Sequence, residues 1–291
     1  VIRDCLASEY AILTRCPFLT RSHVVSSVCE AYCSKADGRA DLQCIIYQEW
    51  TKAREEKPFL FDQSKFRYFS SVCDRETCSL RLGLTSYKAY VGSNLGRKWD
   101  MFLREGQKIG DPCAFFANPL GSLCALVLRD KNHVLLNRSN RVAEGEGLLT
   151  CVGGHPEPSH IGIRRYSDVD PSAVTDELFG CMKREIFEET NLPPERLSEM
   201  YMLGVASCMK THGRQALLFC CFADLNTKEV YDCYKQGPTD QYESLGIQFL
   251  SLDNIVELIN RSPEKVVPET RALYTVLTEQ YDCFKAHQMR C

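Results

Sequence analysis

Residues 176–192, with the sequence DELFGCMKREIFEETNL, constrain the fold of this chain more strongly than any other segment. Glu188 and Glu189 follow Glu185 by three and four residues, and on an α-helix such residues project from one face. These carboxylates repel one another unless a cation lies among them, and Mg²⁺ prefers oxygen ligands together with water and phosphate. The alternative is a solvated helix face, because glutamate favours helices and runs of charge usually lie at the surface.

Length and charge limit the class of protein. With 291 residues the chain can form one large or two ordinary domains around a sizeable core. A net charge of −3 gives no sign of nucleic-acid binding, and no apolar run is long enough to cross a bilayer. The first ten residues lack a secretion signal, although Val1 suggests a trimmed start. We expect an intracellular, cytoplasmic protein with no nucleic-acid or membrane partner, and its oligomeric state is not predicted.

The seventeen cysteines are numerous and odd in number, and none of them forms a C-x-x-C pair. Cys220 and Cys221 are adjacent in a strand-like segment, where neighbouring side chains point to opposite faces of a sheet. We expect most of the cysteines to be small apolar residues in a reducing compartment, and we consider zinc sites and disulfides the less favoured alternatives.

The first part of the chain, residues 1–112, predicts a smaller α+β domain. A short strand is expected at 8–15, and amphipathic patterns predict helices at 21–36 and 39–57. Strand-like runs follow at 66–72 and 79–84, before a loop or short helices that lead to Pro112.

The second part, residues 113–291, predicts a different order of elements. The run 123–128, a polar turn and the run 134–138 form a candidate hairpin. A further strand at 148–152 precedes a predicted turn at Gly153-Gly154, and strands at 202–209 and 216–224 follow the helix with the glutamates. A helix at 227–235, a strand at 247–251 and helices at 252–261 and 269–288 complete the prediction.

The segment 176–192 resembles the Nudix box, G-x5-E-x7-R-E-U-x-E-E-x-G-U, where U is apolar. The matching residues are Arg184, Glu185, Ile186, Glu188, Glu189 and Leu192. Three positions depart from the pattern: Asp170 and Asp176 replace the first Gly and Glu, and Asn191 replaces the last Gly. Asn tolerates the left-handed conformation that ends many helices. We place the first Gly at Gly153-Gly154, which implies an insertion of roughly sixteen residues before the helix.

Further strings resemble one branch of this superfamily, the eukaryotic UDP-glucose/UDP-galactose diphosphatases, over about residues 40–250. They are KPFLFD at 57–62, KFR at 65–67, RLGLTSY at 81–87, RS at 138–139, VAE at 142–144 and GGHPEP at 153–158. The resemblance implies α/β architecture, with a Nudix αβα sandwich and mixed sheet after the smaller N-terminal domain. It also implies an enzyme that hydrolyses the diphosphate of a UDP-hexose to UMP and hexose 1-phosphate.

The resemblance also implies roles for individual residues. Glu185 and Glu189 match metal ligands for a Mg²⁺ cofactor, and Glu188 matches a second-sphere residue or a ligand of a second metal ion. Arg184 orients these carboxylates or forms a surface ion pair with Glu188. Glu243, on a late loop, is the candidate general base. Residues that match substrate-lining positions are Phe61, Tyr87, Arg138, Ala143, His155 and Glu157.

Several alternatives stay open at this point. Phe61 and Tyr87 match aromatics that contact the nucleoside, but they are also interpretable as core residues of the first domain. His155 and Glu157 match sugar or ribose contacts, or brace a loop. His212 and Arg214 are further polar candidates. One branch position falls near Glu269, where the residue type differs, so no role is transferred.

Two other functions compete with UDP-hexose hydrolysis. The first is a Nudix hydrolase of another nucleoside diphosphate linked to X, such as ADP-ribose. The second is a catalytically inactive Nudix-like module that binds a nucleotide. The three glutamates argue against the second, because an inactive site has no need for mutually repelling carboxylates.

Overall fold

The computed structural model of the chain describes residues 9–139, 146–239, 244–280, 282 and 284–285. Its strands are β1 (Tyr10–Leu19), β2 (Val24–Val28), β3 (Ser64–Cys73), β4 (Cys78–Ser86), β5 (Gly121–Leu128), β6 (Asn132–Arg138), β7 (Leu149–Thr150), β8 (Val152–Gly154), β9 (Tyr201–Cys208), β10 (Arg214–Ala223) and β11 (Ser244–Ser251). Its α-helices are α1 (Ala40–Glu56), α2 (Tyr87–Ser93), α3 (Trp99–Lys108), α4 (Pro171–Thr190), α5 (Thr227–Lys235), α6 (Leu252–Arg261) and α7 (Pro268–Glu279).

The larger sheet has eight strands and is mixed. Its order is β1-β9-β10-β5-β6-β11, with β7 paired to β6 and β8 paired to β5. Only the central β10 and β5 run parallel among these described pairs, with Ala216 opposite Gly121 at one end. The other pairings are antiparallel, including the predicted β5–β6 hairpin.

Helices cover both faces of this sheet, as the alternation of buried residues requires. On β5, Cys124 and Leu126 face the apolar cluster of α4, whereas Ala125 and Val127 face the cluster of α7. This arrangement confirms the predicted αβα sandwich. None of the described helices combines the length and the apolarity that a bilayer-spanning segment needs.

The smaller sheet has the order β2-β4-β3 and packs on the α4 side of the sandwich. Phe66 and Leu82 of this sheet belong to the same buried cluster as Leu178 of α4. The hydroxyl of Thr175 on α4 donates a hydrogen bond to the Ser26 hydroxyl on β2 at 3.0 Å. The smaller sheet and the helix with the glutamates therefore share one core.

The division of the chain into 1–112 and 113–291 stays a prediction, and one strand crosses it. β1 lies in the first part of the sequence, but it pairs with β9 at the edge of the larger sheet, with Tyr10 opposite Cys208. The sandwich thus takes its edge strand from the N-terminal part of the chain.

The helix predicted at 21–36 is wrong. This stretch contains β2 and three short 3-10 turns. β-branched Val24 and Val25 favour extended backbone. Burial alternates along β2, with Val24 and Ser26 buried and Val25 exposed, and this alternation is typical of a strand with one covered face.

The cysteines follow the sequence prediction with one exception. Cys220 and Cys221 lie on opposite faces of β10, as predicted. Twelve described cysteines are thiols outside any disulfide. A disulfide joins Cys73 and Cys78, which are opposite each other at the hairpin end of β3 and β4.

Candidate active site

The helix α4 has well-defined ends. The Asp170 side chain accepts a hydrogen bond from the backbone N–H of Ser172 at 2.9 Å, and Pro171 occupies the first helical position. After Thr190, Asn191 adopts a left-handed conformation with φ of 59°. The glutamate cluster therefore lies on the last two turns of a capped helix.

The glutamates of α4 face the protein more than solvent. Glu189 is only 8% exposed, and one of its carboxylate oxygens accepts the backbone N–H of Gly153 at 3.0 Å. Glu185 and Glu188 are half-buried. A freely solvated helix face, the alternative interpretation of this segment, does not describe Glu189.

β8 approaches α4 closely because it ends in two glycines. A Cβ atom on Gly154 would lie 2.0 Å from the carboxyl carbon of Glu185, and a Cβ atom on Gly153 would lie 2.7 Å from the carbonyl oxygen of Ser122. Gly153-Gly154 forms the end of a strand rather than a separate turn. Only glycine leaves room for the carboxylate face at this distance.

Arg184 forms an ion pair with Glu177, with 2.8 Å between Nη2 and Oε1. The Glu177 carboxylate is buried, and it also accepts the backbone N–H of Glu157 at 2.9 Å. His160 Nδ1 lies 3.1 Å from the same carboxylate. Arg184 and Glu177 therefore connect α4 to the loop that follows β8.

Asp176, which takes the place of the first Glu of the Nudix box, points elsewhere. Its exposed carboxylate accepts a hydrogen bond from Arg21 Nε at 2.5 Å. The carboxylate partner of Arg184 is thus the next residue along the helix, Glu177, which the sequence analysis did not single out.

Glu157 is held by the smaller sheet. Lys65 Nζ, on β3, lies 2.5 Å from Glu157 Oε1, and both side chains are about nine-tenths buried (10% and 12% exposed). The Gln63 side chain donates a hydrogen bond to the other carboxylate oxygen. Glu157 is therefore held in place by a residue of β3, although 92 positions separate Lys65 and Glu157 in the sequence.

His155 is held by the larger sheet. Arg214 Nη1 lies 3.2 Å from His155 Nε2, and Arg214 Nη2 donates to Glu269 Oε1 at 2.8 Å. Burial lowers the pKa of His155 well below its usual value, and the positive charges of Lys65, Arg214 and Arg138 lower this pKa further. His155 is consequently a neutral imidazole with several cationic residues around it.

Phe61 and Tyr87 lie in segments that contact each other. Phe61 is 69% exposed, so the interpretation of Phe61 as a core residue is wrong. Tyr87 is half-buried and makes an edge contact with Trp50, with 6.1 Å between ring centroids. The Asp62 side chain accepts the backbone N–H of Lys88 at 2.9 Å, which connects the segment of Phe61 to the start of α2.

Gln63 connects these aromatics to the loop at 155–158. Its backbone carbonyl accepts the N–H of Tyr87 at 2.9 Å, and its side chain donates to Glu157. The structure therefore brings Tyr87, Glu157, His155 and the glutamate face of α4 into one continuous region.

The remaining predicted site residues are distributed unevenly. Arg138, the last residue of β6, is half-buried and contributes to the low pKa of His155. Ala143 and Glu243 lie outside the described residues. His212 stacks on Trp99 with 4.3 Å between ring centroids, and its Nδ1 lies 2.8 Å from the carbonyl oxygen of Asn94. His212 thus connects the loop between β9 and β10 to the start of α3 and the segment before it.

No protein-family model matches the chain, whereas individual relatives are similar over most of its length. The mouse protein named uridine diphosphate glucose pyrophosphatase NUDT22 is 34% identical over 260 residues, which cover 86% of this chain and 84% of the mouse protein. The human protein of the same name is 35% identical over 219 residues, 72% of each chain. Nudix hydrolase 9 of Arabidopsis thaliana is 30% identical over 273 residues, 88% of this chain and 87% of that protein. The chain is a Nudix hydrolase.

As a Nudix hydrolase, the protein acts on diphosphate bonds, and its candidate site combines the helix α4 with residues from other elements. The contacts of Gln63, Lys65, Glu177 and Glu269 were not predicted from the sequence, and Arg214 was predicted only as a polar candidate without a partner. Lys65 lies in the KFR string at 65–67, which resembles the diphosphatase branch, so the sequence did indicate that this segment could matter for function. No sequence motif indicated the contacts of Gln63, Glu177 or Glu269.

Proposed function

We propose that this Nudix hydrolase cleaves the diphosphate of UDP-glucose or UDP-galactose with Mg²⁺ and releases UMP and hexose 1-phosphate. The contact that carries the proposal is the link through Gln63, which bonds both the Tyr87 backbone and the Glu157 side chain. It joins an aromatic segment to a polar loop beside the box helix. The mouse and human relatives are named for UDP-glucose, which supports this choice of substrate.

The uracil ring is assigned to Phe61 and Tyr87. A nucleobase offers a flat face, and stacking on an aromatic side chain contributes about 1–3 kcal/mol per base. Phe61, at 69% exposure, has a free ring face that a nucleobase would cover. The base would then set the position of the diphosphate relative to α4.

The diphosphate is assigned to the region between α4 and the loop at 155–158. Arg138, whose charge acts on His155, is the cation assigned to a phosphate oxygen, because Lys65 and Arg214 are already paired with Glu157 and Glu269. Glu157 accepts hydrogen bonds and suits the hydroxyl groups of a sugar. The sugar then lies near residues 153–170.

The donor set fits Mg²⁺. Glu185 and Glu189 would hold the ion, with Glu188 as a further ligand, because carboxylate oxygens are the ligands that Mg²⁺ prefers. The close approach of Gly154 to Glu185 supports this fit, since a side chain at that position would fill the space beside the carboxylate. When bound, Mg²⁺ neutralises phosphate charge, polarises a phosphoryl oxygen and activates water.

The residues of the chain provide the positioning around this ion. Arg184, through Glu177, fixes the loop that carries His155 and Glu157 against α4. Holding the substrate beside these groups makes a bimolecular reaction effectively unimolecular, which lowers its entropic barrier. Glu243 stays the predicted general base.

A substrate panel tests this function. Purified protein is incubated with UDP-glucose, UDP-galactose and ADP-ribose, each with MgCl₂ or EDTA, and the products are separated by anion-exchange chromatography. We expect UMP and hexose 1-phosphate only with MgCl₂, similar rates for the two UDP-hexoses, and much slower turnover of ADP-ribose.

Two results would contradict the proposal. Faster turnover of ADP-ribose than of either UDP-hexose would move the specificity to another nucleoside diphosphate. Binding of UDP-glucose in calorimetry without turnover of any substrate would indicate an inactive nucleotide-binding module.

A further inference from the structure

Arg214 contacts two residues from different parts of the fold. It begins β10, and its guanidinium reaches His155 after β8 on one side and Glu269 at the start of α7 on the other. The Arg214 and Glu269 side chains are 16% and 4% exposed. A charged pair at this depth is ordered, because neither group can turn to solvent without losing its partner.

The contact with His155 determines where the imidazole carries its proton. Arginine has only hydrogen-bond donors and keeps its charge, so at 3.2 Å the Nε2 atom of His155 has to be the acceptor. A neutral imidazole has one N–H, and it therefore lies on Nδ1. The low pKa of His155 agrees with a neutral ring.

Glu269 is placed to hold Arg214 rather than to touch a substrate. It is the second residue of α7, where the helix dipole stabilises a carboxylate. Its Oε1 accepts the Arg214 Nη2 donor at 2.8 Å, and only 3% of the residue is exposed. The Tyr90 ring lies on another side of the guanidinium, with 5.9 Å between Cζ and the ring centroid.

We propose that Arg214 is a positioning residue that fixes His155 as the neutral tautomer protonated on Nδ1, so that Nδ1–H donates a hydrogen bond to a phosphate oxygen of the substrate. Phosphate oxygens at neutral pH are acceptors and require a donor of this kind. Glu269 orients Arg214 and acts only through it. The choice of a phosphate oxygen rests on the proposed function, whereas the tautomer does not.

The tautomer is measured directly by NMR. In ¹⁵N-labelled protein, long-range ¹H–¹⁵N correlations show which ring nitrogen of each histidine carries hydrogen, and the signals that disappear in His155→Gln assign His155. We expect hydrogen on Nδ1 in the wild-type protein and a mixture of both tautomers in Arg214→Met. Adding UMP should shift the Nδ1 signal of the wild-type protein.

Arg214→Met leaves the Glu269 carboxylate buried without Arg214 and risks unfolding the protein. The double variant Arg214→Met/Glu269→Met removes both charges and keeps the measurement possible. A matched control is Arg15→Met/Glu279→Met, which removes an exposed ion pair of 2.7 Å between β1 and the other end of α7. We expect the control to keep the His155 tautomer and the wild-type kcat/KM, and the double variant to lower kcat/KM by roughly tenfold or more.

The outcomes separate this inference from the proposed function. A wild-type His155 with its hydrogen on Nε2, in a protein that hydrolyses UDP-glucose, would overturn the inference alone. An unchanged tautomer in the double variant would also overturn it, because Arg214 would then not determine the proton position. An Nδ1–H signal that responds to Arg214 in a protein that hydrolyses no UDP-hexose would support the positioning contact and contradict the proposed function.

Discussion

Gly154 and Glu185 are in such close contact that a Cβ atom on Gly154 would lie 2.0 Å from the Glu185 carboxyl carbon. Through this contact, and through the Gly153 N–H that Glu189 accepts, β8 packs directly against the carboxylates of α4. The contact with Glu185 also explains a glycine at a position where the backbone requires none, since Gly154 does not have a positive φ angle. The requirement comes from close packing against the Glu185 carboxyl group.

Gly154→Ala is therefore expected to displace Glu185 and to lower kcat/KM by at least tenfold. A methyl group forced into filled space costs about 1–3 kcal/mol of stability, so the fold should survive. Kinetics at several Mg²⁺ concentrations measure the effect, because displacement of a ligand raises the Mg²⁺ concentration needed for half-maximal rate.

Gly180→Ala is the matched control for this substitution. Gly180 lies on the same helix as Glu185, and a Cβ atom there would meet nothing within 4 Å. Alanine in a helix interior is favoured over glycine by roughly 0.5–1 kcal/mol, so this variant should melt slightly higher with unchanged kinetics. Equal losses of activity in both variants would contradict the specific role of Gly154.

Glu189→Gln and Glu185→Gln are expected to remove nearly all turnover at saturating Mg²⁺, and Glu188→Gln should have a milder effect. Glutamine keeps an acceptor for the Gly153 N–H, which donates to Glu189 at 3.0 Å, so the melting temperature should change little. Steady-state kinetics with thermal melts measure both quantities. Wild-type activity in folded Glu189→Gln would remove Glu189 from the metal site.

Glu177→Gln is expected to impair the enzyme more than Asp176→Asn, although Asp176 holds the motif position. Glu177 is buried and bonded to Arg184, and losing such a contact costs about 1–3 kcal/mol. The Asp176–Arg21 pair is exposed, and pairs of this kind contribute about 0–1 kcal/mol. Urea denaturation and kcat/KM of both variants test the order, which would be reversed if Asp176 were the functional partner of Arg184.

The parts of the fold with local sequence signals were predictable. The helix α4 carries its own signals, because Asp170, Pro171 and Asn191 mark its ends and the glutamates share one face. Burial on both faces of β5 and β10 likewise follows from their continuous apolar runs, which are typical of central strands. These signals lie within single elements.

The preference for Glu177 over Asp176 was not predictable, because consecutive helical residues point in different directions and tertiary packing decides which one is buried. That packing comes from the loop after β8, because the Glu177 carboxylate accepts the Glu157 N–H and lies 3.1 Å from His160 Nδ1. Those contacts exist only in the folded protein.

The sequence also contains no indication of which charged residues of the candidate site pair with each other. Lys65 and Glu157 are 92 residues apart, and Arg214 and Glu269 are 55 residues apart. Each pair joins two elements whose contact depends on the finished fold. Charge patterning identifies partners only where they are neighbours on one element.

Phe61→Ala is expected to raise KM for UDP-glucose by roughly 5- to 150-fold, which corresponds to the loss of about 1–3 kcal/mol of stacking. The melting temperature should not change, because Phe61 is exposed. Phe59→Ala is the matched control, since Phe59 has the same exposed fraction of 69% and lies two residues away. Equal KM values for the two variants would place the uracil elsewhere.

Tyr87→Ala is expected to raise KM similarly and also to lower the melting temperature, because the Tyr87 ring packs against Trp50. Unfolding without any kinetic change in the folded fraction would indicate that Tyr87 is only a structural residue.

The free energy of unfolding is expected to decrease at low pH because His133 is buried in its neutral form. This residue on β6 is fully buried, and its Nδ1 lies 3.2 Å from the Tyr274 hydroxyl. Burial lowers the pKa of His133 to about 3 in the folded protein, whereas an unfolded histidine has a pKa of about 6.5. Between these values the unfolded state binds more protons, so the free energy of unfolding decreases as the pH falls.

The expected slope from one such proton is at most about 1.4 kcal/mol per pH unit, and it vanishes above about pH 6.5. His133→Gln should therefore flatten the curve of unfolding free energy against pH below about pH 6.5, even though it also lowers stability at pH 8. His23→Gln, at an exposed position, is the control and should leave the slope unchanged. Urea denaturation at several pH values measures both slopes. The His133→Gln variant has no imidazole to take up a proton in the unfolded state. Parallel curves for this variant and the wild type would therefore mean that protonation of His133 does not cause the loss of stability at low pH.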